Sequence, residues 1–225
     1  MGTNQAYAAT ALEPGVGSAY GNGWKQLWKN FLELLLILII SWVISVPFSI
    51  MILFAEYYIG VTLLSLIYSI MVAGPLTFGF YYACLKAARD EPVEVKDLFA
   101  AFGNYWNTIG AYLLCGLIIT IGYILLIVPG VIFTCKLAFV PYLIVDKKKG
   151  GLEAIGESWR MTKGYSLDIF LMGLLAIPIM MVGLLLFIVG IIPASMWIGV
   201  SLASLFYAVD LKSPTVIKQP GPFIE

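Results

Sequence analysis

The 225-residue sequence contains no histidine. That absence removes Ser-His-Asp and Cys-His nucleophilic catalysis, histidine ligation of zinc or haem, and the usual proton switch near neutral pH. Charge is scarce as well, at 12% of the chain against roughly a quarter in an average soluble domain. Thirteen basic and thirteen acidic residues cancel, so no cationic excess exists for a phosphate backbone and nucleic acid is not an expected partner. Cys84, Cys115 and Cys135 lie in apolar segments without C-x-x-C spacing, which makes them small buried hydrophobes rather than a disulfide framework or a metal site. No Walker motif, G-x-G-x-x-G or intramembrane pair of aspartates occurs, so no cofactor is expected. An enzyme has the least support, since no nucleophile has a plausible base beside it.

What the chain does have is apolar surface, at 61% hydrophobic residues. A bilayer core of about 30 Å takes roughly 20 apolar residues per helix, because each residue rises about 1.5 Å. Gaps between charges therefore count the crossings. Twenty-two uncharged residues separate Glu33 from Glu56, and 29 separate Glu56 from Lys86, one crossing each. Thirty-eight separate Asp97 from Lys136, with nine more before Asp146, and Pro129-Gly130 reads as the turn of a hairpin. Forty-one separate Asp168 from Asp210, interrupted at Gly190 to Pro193, for two more crossings. The expectation is an all-α polytopic bundle of six transmembrane helices over residues 23–212. Residues 1–22 and 213–225 are expected as tails, the first of them flexible and without a signal peptide's basic leader or apolar run. Gly74-Pro75 marks the long second span as one kinked helix.

Twelve of the thirteen Lys and Arg residues fall in the tails and the second and fourth loops, and none in the three short opposite turns. Positive residues are retained inside, so both termini are expected on the cytoplasmic side of a cell membrane. Trp24, Trp28, Trp106 and Trp159 precede spans one, three and five, where indoles anchor in the headgroup layer. Segments 24–31, 97–106 and 152–164 mix apolar and charged residues at helical spacing, as short interfacial helices do. The spacings between the three units are too unequal to settle a repeat.

Lys136 is the one cation left within the membrane, at a cost of roughly 2.5–3.5 kcal/mol if central. Counted from Pro129-Gly130 it lies in the outer half of span four, where Glu56 is the carboxylate at matching depth. It either snorkels to the outer headgroups or binds an anion or lipid headgroup. Lys147-Lys148-Lys149 reads as a basic cluster that fixes topology at the inner surface. Asp90, Glu91 and Glu94 with Lys86, Arg89 and Lys96 read as a solvated loop. The small-residue stripes Ser41-Ser45-Ser49, Gly79-Ala83-Ala87 and Ser195-Gly199-Ala203 predict close helix packing.

Pro75-Leu76-Thr77-Phe78-Gly79, Leu98-Phe99-Ala100-Ala101-Phe102, Pro129-Gly130 with Lys136, Pro141 to Asp146 and Ser158 to Gly164 occur in an order that resembles a broad prokaryotic family. That family comprises six-helix membrane proteins related to the membrane domain of some glycerophosphodiester phosphodiesterases and to the YciC-like proteins. The resemblance covers residues 20–212. It implies a non-enzymatic membrane protein, in membrane homeostasis or as an accessory subunit, with the bilayer and its headgroups as partners. It also implies an arginine where Lys136 stands, a change that keeps the charge and loses bidentate geometry. The phosphodiesterase activity does not carry over, because the soluble barrel and its histidines are missing. Kinks at Pro47, Pro75, Pro141 and Pro178 favour the alternative, a small transporter or channel with a site near Lys136.

Overall fold

Backbone N–H and C=O groups in hydrocarbon must find partners within their own segment, and a chain this apolar meets the demand with helices. The computed structural model describes residues 12–55, 58–185 and 190–212, and of 52–55 the backbone alone. Six helical runs are long and apolar enough to cross a membrane: Phe31–Met51, Ile59–Ala88, Val95–Leu125, Ile127–Val145, Ser166–Leu185 and Ile191–Lys212. The described residues contain helices and turns and no strand. The protein is an all-α integral membrane protein.

Helix α1 (Val16–Lys29) leads at Asn30 into α2 (Phe31–Ala55), the first span. The start of α1 at Val16 lies inside the segment expected to be a tail. Ordering comes from tertiary contacts: the Tyr20 hydroxyl donates to the Met172 carbonyl at 2.9 Å, and the Trp197 indole N–H donates to the Tyr20 carbonyl at 3.0 Å. Asn22 donates to the Ala88 carbonyl and to Ser204.

Span two comprises α3 (Ile59–Tyr68), a π-helical turn at Ser69–Ala73 and α4 (Gly74–Ala88). Pro75 has no N–H to give to the carbonyl four residues earlier, that of Met71, and the widened turn sits at this defect. The Tyr105 hydroxyl, from the next span, donates to the Met71 carbonyl at 3.1 Å. The kink expected at Pro75 is present.

Span three begins as a 3₁₀ helix (Val95–Asn104) capped by Glu94 and Asp97, and continues as α5 (Tyr105–Leu125). Span four is α6 (Ile127–Leu137) followed by α7 (Val140–Val145). The hairpin turn falls at Leu126, with φ −171° and ψ 155°, and not at Pro129-Gly130 as expected. Pro129 sits in the first turn of α6, where its missing N–H costs nothing. Gly130 has a different use: a Cβ there would stand 2.6 Å from the Tyr123 ring, and one on Gly122 would stand 2.9 Å from the Gly130 Cα. The two glycines let α5 and α6 cross closely. Helix α8 (Gly151–Met161), a turn with Gly164 at φ +98°, α9 (Ser166–Leu185) and α10 (Ile191–Lys212) complete the chain.

Spans one with two, three with four and five with six form three hairpins, and α1, the 3₁₀ helix and α8 precede spans one, three and five. The core lies toward the charged loops, around Leu34, Leu85, Leu98, Phe139, Tyr142 and Phe206, all fully buried. The opposite ends of the hairpins carry exposed apolar side chains such as Leu63, Ile124 and Leu184. Of the small-residue stripes, Gly79 and Gly199 are close contacts. A Cβ on Gly79 would lie 1.8 Å from the Leu98 carbonyl oxygen, and one on Gly199 would lie 3.1 Å from Cys84 Sγ. Ser41, Ser45 and Ser195 do not close a helix contact as expected. With Thr77 and Trp42 they line a cavity of about 360 Å³ between spans one, two and six, and each serine bonds back to its own helix.

Candidate functional site

Two environments hold the charges. At the loop end, Lys86 pairs with Asp97 at 2.8 Å, and Arg89 grips Asp146 through two bonds of 2.7 and 2.8 Å. Lys147 pairs with Asp210 at 2.7 Å, while Lys149 reaches both Glu153 and Glu157. Burial works against the Arg89 charge, but its hydrogen bond with Asp146 and that carboxylate's attraction outweigh it and raise the guanidinium above its usual value. Burial likewise pushes the Glu157 carboxyl up, yet hydrogen bonds from Lys149 and Arg160 prevail and hold it below the ordinary carboxylate range. The Glu157 bond raises Lys149 in return.

These pairs revise two expectations. Lys86 and Arg89 are not part of a solvated loop but lie mostly buried against spans three and four. The Lys147-Lys148-Lys149 cluster leaves only Lys148 exposed and without a carboxylate partner among the described residues. Arg89 with Asp146 and Lys147 with Asp210 are far apart in sequence, and α-helical spacing carries no signal for them.

The second environment surrounds Lys136. Span four is interrupted at residues 138–139, and α8 lies across the gap. Ser158, fully buried on α8, donates its hydroxyl to the Lys136 carbonyl at 2.7 Å and accepts the Phe139 N–H at 3.3 Å. One side chain thereby closes the break. Leu137 keeps its place in the core while Pro141 opens α7 one turn on.

The Lys136 amine turns toward α8 and the charged loop, not toward the opposite headgroups as its depth from Pro129-Gly130 suggested. Its ammonium lies 3.5 Å from the Thr162 carbonyl and 5.9 Å from the centre of the Trp159 ring, within cation–π range. The reason is the break itself, which α8 enters and occupies. Lys86, Arg89, Lys147 and Lys149 are the other half-buried cations, and each has a carboxylate. Lys136 has none among the described residues, and the unpaired Lys25, Lys148, Lys163 and Lys212 are all exposed. Glu56, the expected acidic companion, lies outside the described residues.

Trp24, Trp28, Trp106 and Trp159 are all exposed. Trp24 packs edge to face on Trp28 and on Trp197, a third indole that the span-end reading did not include. Among the described residues no cluster of His, Cys, Asp or Glu could hold a metal ion.

The family model described as Domain of unknown function (DUF7847) matches residues 62–219, about 70% of the chain. The chain belongs to this family. The DUF7847 match begins inside α3 and includes Lys136, Ser158, Trp159 and all the half-buried ion pairs, while α1 and span one lie outside it. No curated protein and no solved structure matches the chain.

Proposed function

We propose that this DUF7847 member is a non-catalytic protein of a prokaryotic cytoplasmic membrane that takes an anionic lipid headgroup at Lys136, in membrane homeostasis or as an accessory subunit. One observation carries the reading: Lys136 is the half-buried cation left without a carboxylate among the described residues, and an exposed indole lies beside it. Such an amine is costly to leave unpaired, and a headgroup phosphate supplies the missing charge. Kinship with the YciC-like proteins and the phosphodiesterase membrane domains belongs to the same proposal. So do cytoplasmic termini, which rest on the distribution of Lys and Arg.

The test is native mass spectrometry of the detergent-purified protein. Lys136→Met is expected to lose its preference for phosphatidylglycerol over phosphatidylcholine while the melting temperature is kept. Unchanged retention of both lipids would remove the reading. Labelling of Lys163→Cys from the outer face of intact cells would reverse the orientation.

A small transporter is the second reading. The hydroxyl-lined cavity between spans one, two and six favours it, because it lies beside the broken segment of span two. Flux of small solutes into proteoliposomes, unaltered between parent and empty vesicles, would exclude it.

A further inference from the structure

Five of the six tryptophans have an ordinary place. Trp24, Trp28, Trp106 and Trp159 lie ahead of spans one, three and five or at their start, where headgroups and water can take an indole N–H. Trp197 gives its N–H to the Tyr20 carbonyl at 3.0 Å. Trp42 is the exception. It is the twelfth residue of the 21 in the first span and is 75% exposed. By helical rise it stands roughly 16 Å from the loop end of that span, the middle of a bilayer core of about 30 Å. Its N–H therefore faces hydrocarbon, and it has no partner among the described residues. An unpaired donor at that depth is costly.

The cavity of about 360 Å³ between spans one, two and six lies on the same face. Leu38, Ser41, Trp42 and Ser45 all line it, and they fall at i, i+3, i+4 and i+7 on α2. Four hydroxyls reach it from three helices: Ser41 and Ser45 on α2, Thr77 on α4 and Ser195 on α10. Each donates at 2.8 Å to a carbonyl of its own helix. A hydroxyl has one proton and two lone pairs, so with the proton spent it offers acceptors alone. The cavity calls for a donor, and the indole beside it is a donor that calls for an acceptor. Within one copy the two do not meet.

We propose that a second copy of this chain completes the site, with Trp42 of each copy entering the hydroxyl-lined cavity of the other. A two-fold axis along the membrane normal makes one patch serve both sides, and it keeps every residue at its own depth. That condition is met by construction, because Ser41 and Ser45 flank Trp42 on the same helix. The cavity falls within the roughly 300–1,000 Å³ of ordinary ligand pockets, which leaves room for a bicyclic ring. Lipid tails are as apolar as the ring, so its burial alone selects nothing in a bilayer. The bond from the indole N–H to a hydroxyl oxygen is what a tail cannot replace. The proposal is independent of Lys136 and competes with the transporter reading, since a solute and an indole cannot share the cavity.

The experiment uses the full chain in vesicles of phosphatidylcholine and phosphatidylglycerol. Donor-labelled and acceptor-labelled pools are mixed, and energy transfer is followed as the lipid-to-protein ratio rises. The parent is expected to show transfer that falls with dilution as a dimer dissociates. Trp42→Phe keeps a ring and loses the N–H, and it is expected to weaken the dimer about threefold, the size of an ordinary interhelical hydrogen bond in a membrane. Trp42→Ala also loses the packing of the ring, for a weakening of about tenfold or more. The triple variant Ser41→Ala/Ser45→Ala/Ser195→Ala removes the acceptors and should match Trp42→Phe. Combined with Trp42→Phe it should cost nothing further, because both changes delete the same bond. Full additivity of the two would overturn the proposal. A dimer that Trp42→Ala leaves intact forms on another face and overturns it as well. A parent that stays monomeric at every ratio also overturns it, and monomers that carry solute flux give the cavity to the transporter reading.

Discussion

Ser158→Ala removes one hydroxyl and leaves two buried backbone groups without their partner, the Lys136 carbonyl and the Phe139 N–H. A buried polar group left unsatisfied costs about 1–3 kcal/mol. The 2.7 Å bond counts for more than the 3.3 Å one, which puts the loss at about 3 kcal/mol. For a chain of this size that is a drop of roughly 6–12 °C in melting temperature, readable by tryptophan fluorescence in detergent. Thr162→Val is the matched control. Its hydroxyl donates to the Ser158 carbonyl at 2.8 Å, but the Thr162 N–H already serves that oxygen at 2.9 Å, so the expected loss is below about 1 kcal/mol. A Ser158→Ala protein melting within about 2 °C of the parent would refute the idea that one hydroxyl closes the gap in span four.

Gly79→Ala should prevent the 3₁₀ helix from seating, since the added methyl would overlap the Leu98 carbonyl. Gly103→Ala, with nothing within 4 Å, should melt like the parent, and equal behaviour of the two would contradict the packing described. Asp146→Asn strands the Arg89 charge in a site where both side chains are about 15% exposed, for an expected loss of about 3–5 kcal/mol in chemical denaturation. Arg89→Lys keeps the charge and loses the fork, so it should fall between parent and Asp146→Asn. The Glu157 carboxyl is held below its ordinary value, so its contribution is present above about pH 4.3 and is lost as pH falls through the folded value. Lys149 is held above its own, so its contribution is complete below about pH 10.4 and disappears as pH rises past the folded value. The stability gap between parent and Glu157→Gln should therefore narrow below about pH 4.3, and a gap independent of pH would argue against the pair.

Span number, the kink at Pro75 and the short helices ahead of spans one, three and five were legible because each rests on local rules: length against bilayer thickness, a missing N–H, and amphipathic spacing. Where Lys136 points was not legible. Depth along a helix places a Cα, but the side chain follows whichever segment fills the adjacent space, and here α8 enters a break that no single residue announces. The turn at Leu126 escaped for a related reason, since Pro129-Gly130 is equally suited to a turn and to the first turn of a helix. Arg89 with Asp146 and Lys147 with Asp210 joined residues 57 and 63 positions apart, beyond any periodicity. Ser41 and Ser195 share a small-residue spacing with Gly199, and only the neighbouring helix decides whether such a stripe is packed or open.

The docking of α1 onto α10 carries a consequence for assembly. Tyr20 with Trp197 and Asn22 with Ser204 tie together residues 177 and 182 positions apart, so a helix synthesised near the start completes its contacts only when the last span emerges. Until then the growing chain can rely on the neighbours within each hairpin, and closure of the bundle is a late event with a long wait before it. A chain stopped before Ile191 would keep the bonds of Tyr20 to Met172 and of Asn22 to Ala88, but Gly23, which packs on Ser201, and the Tyr20 carbonyl would face no surface made to receive them.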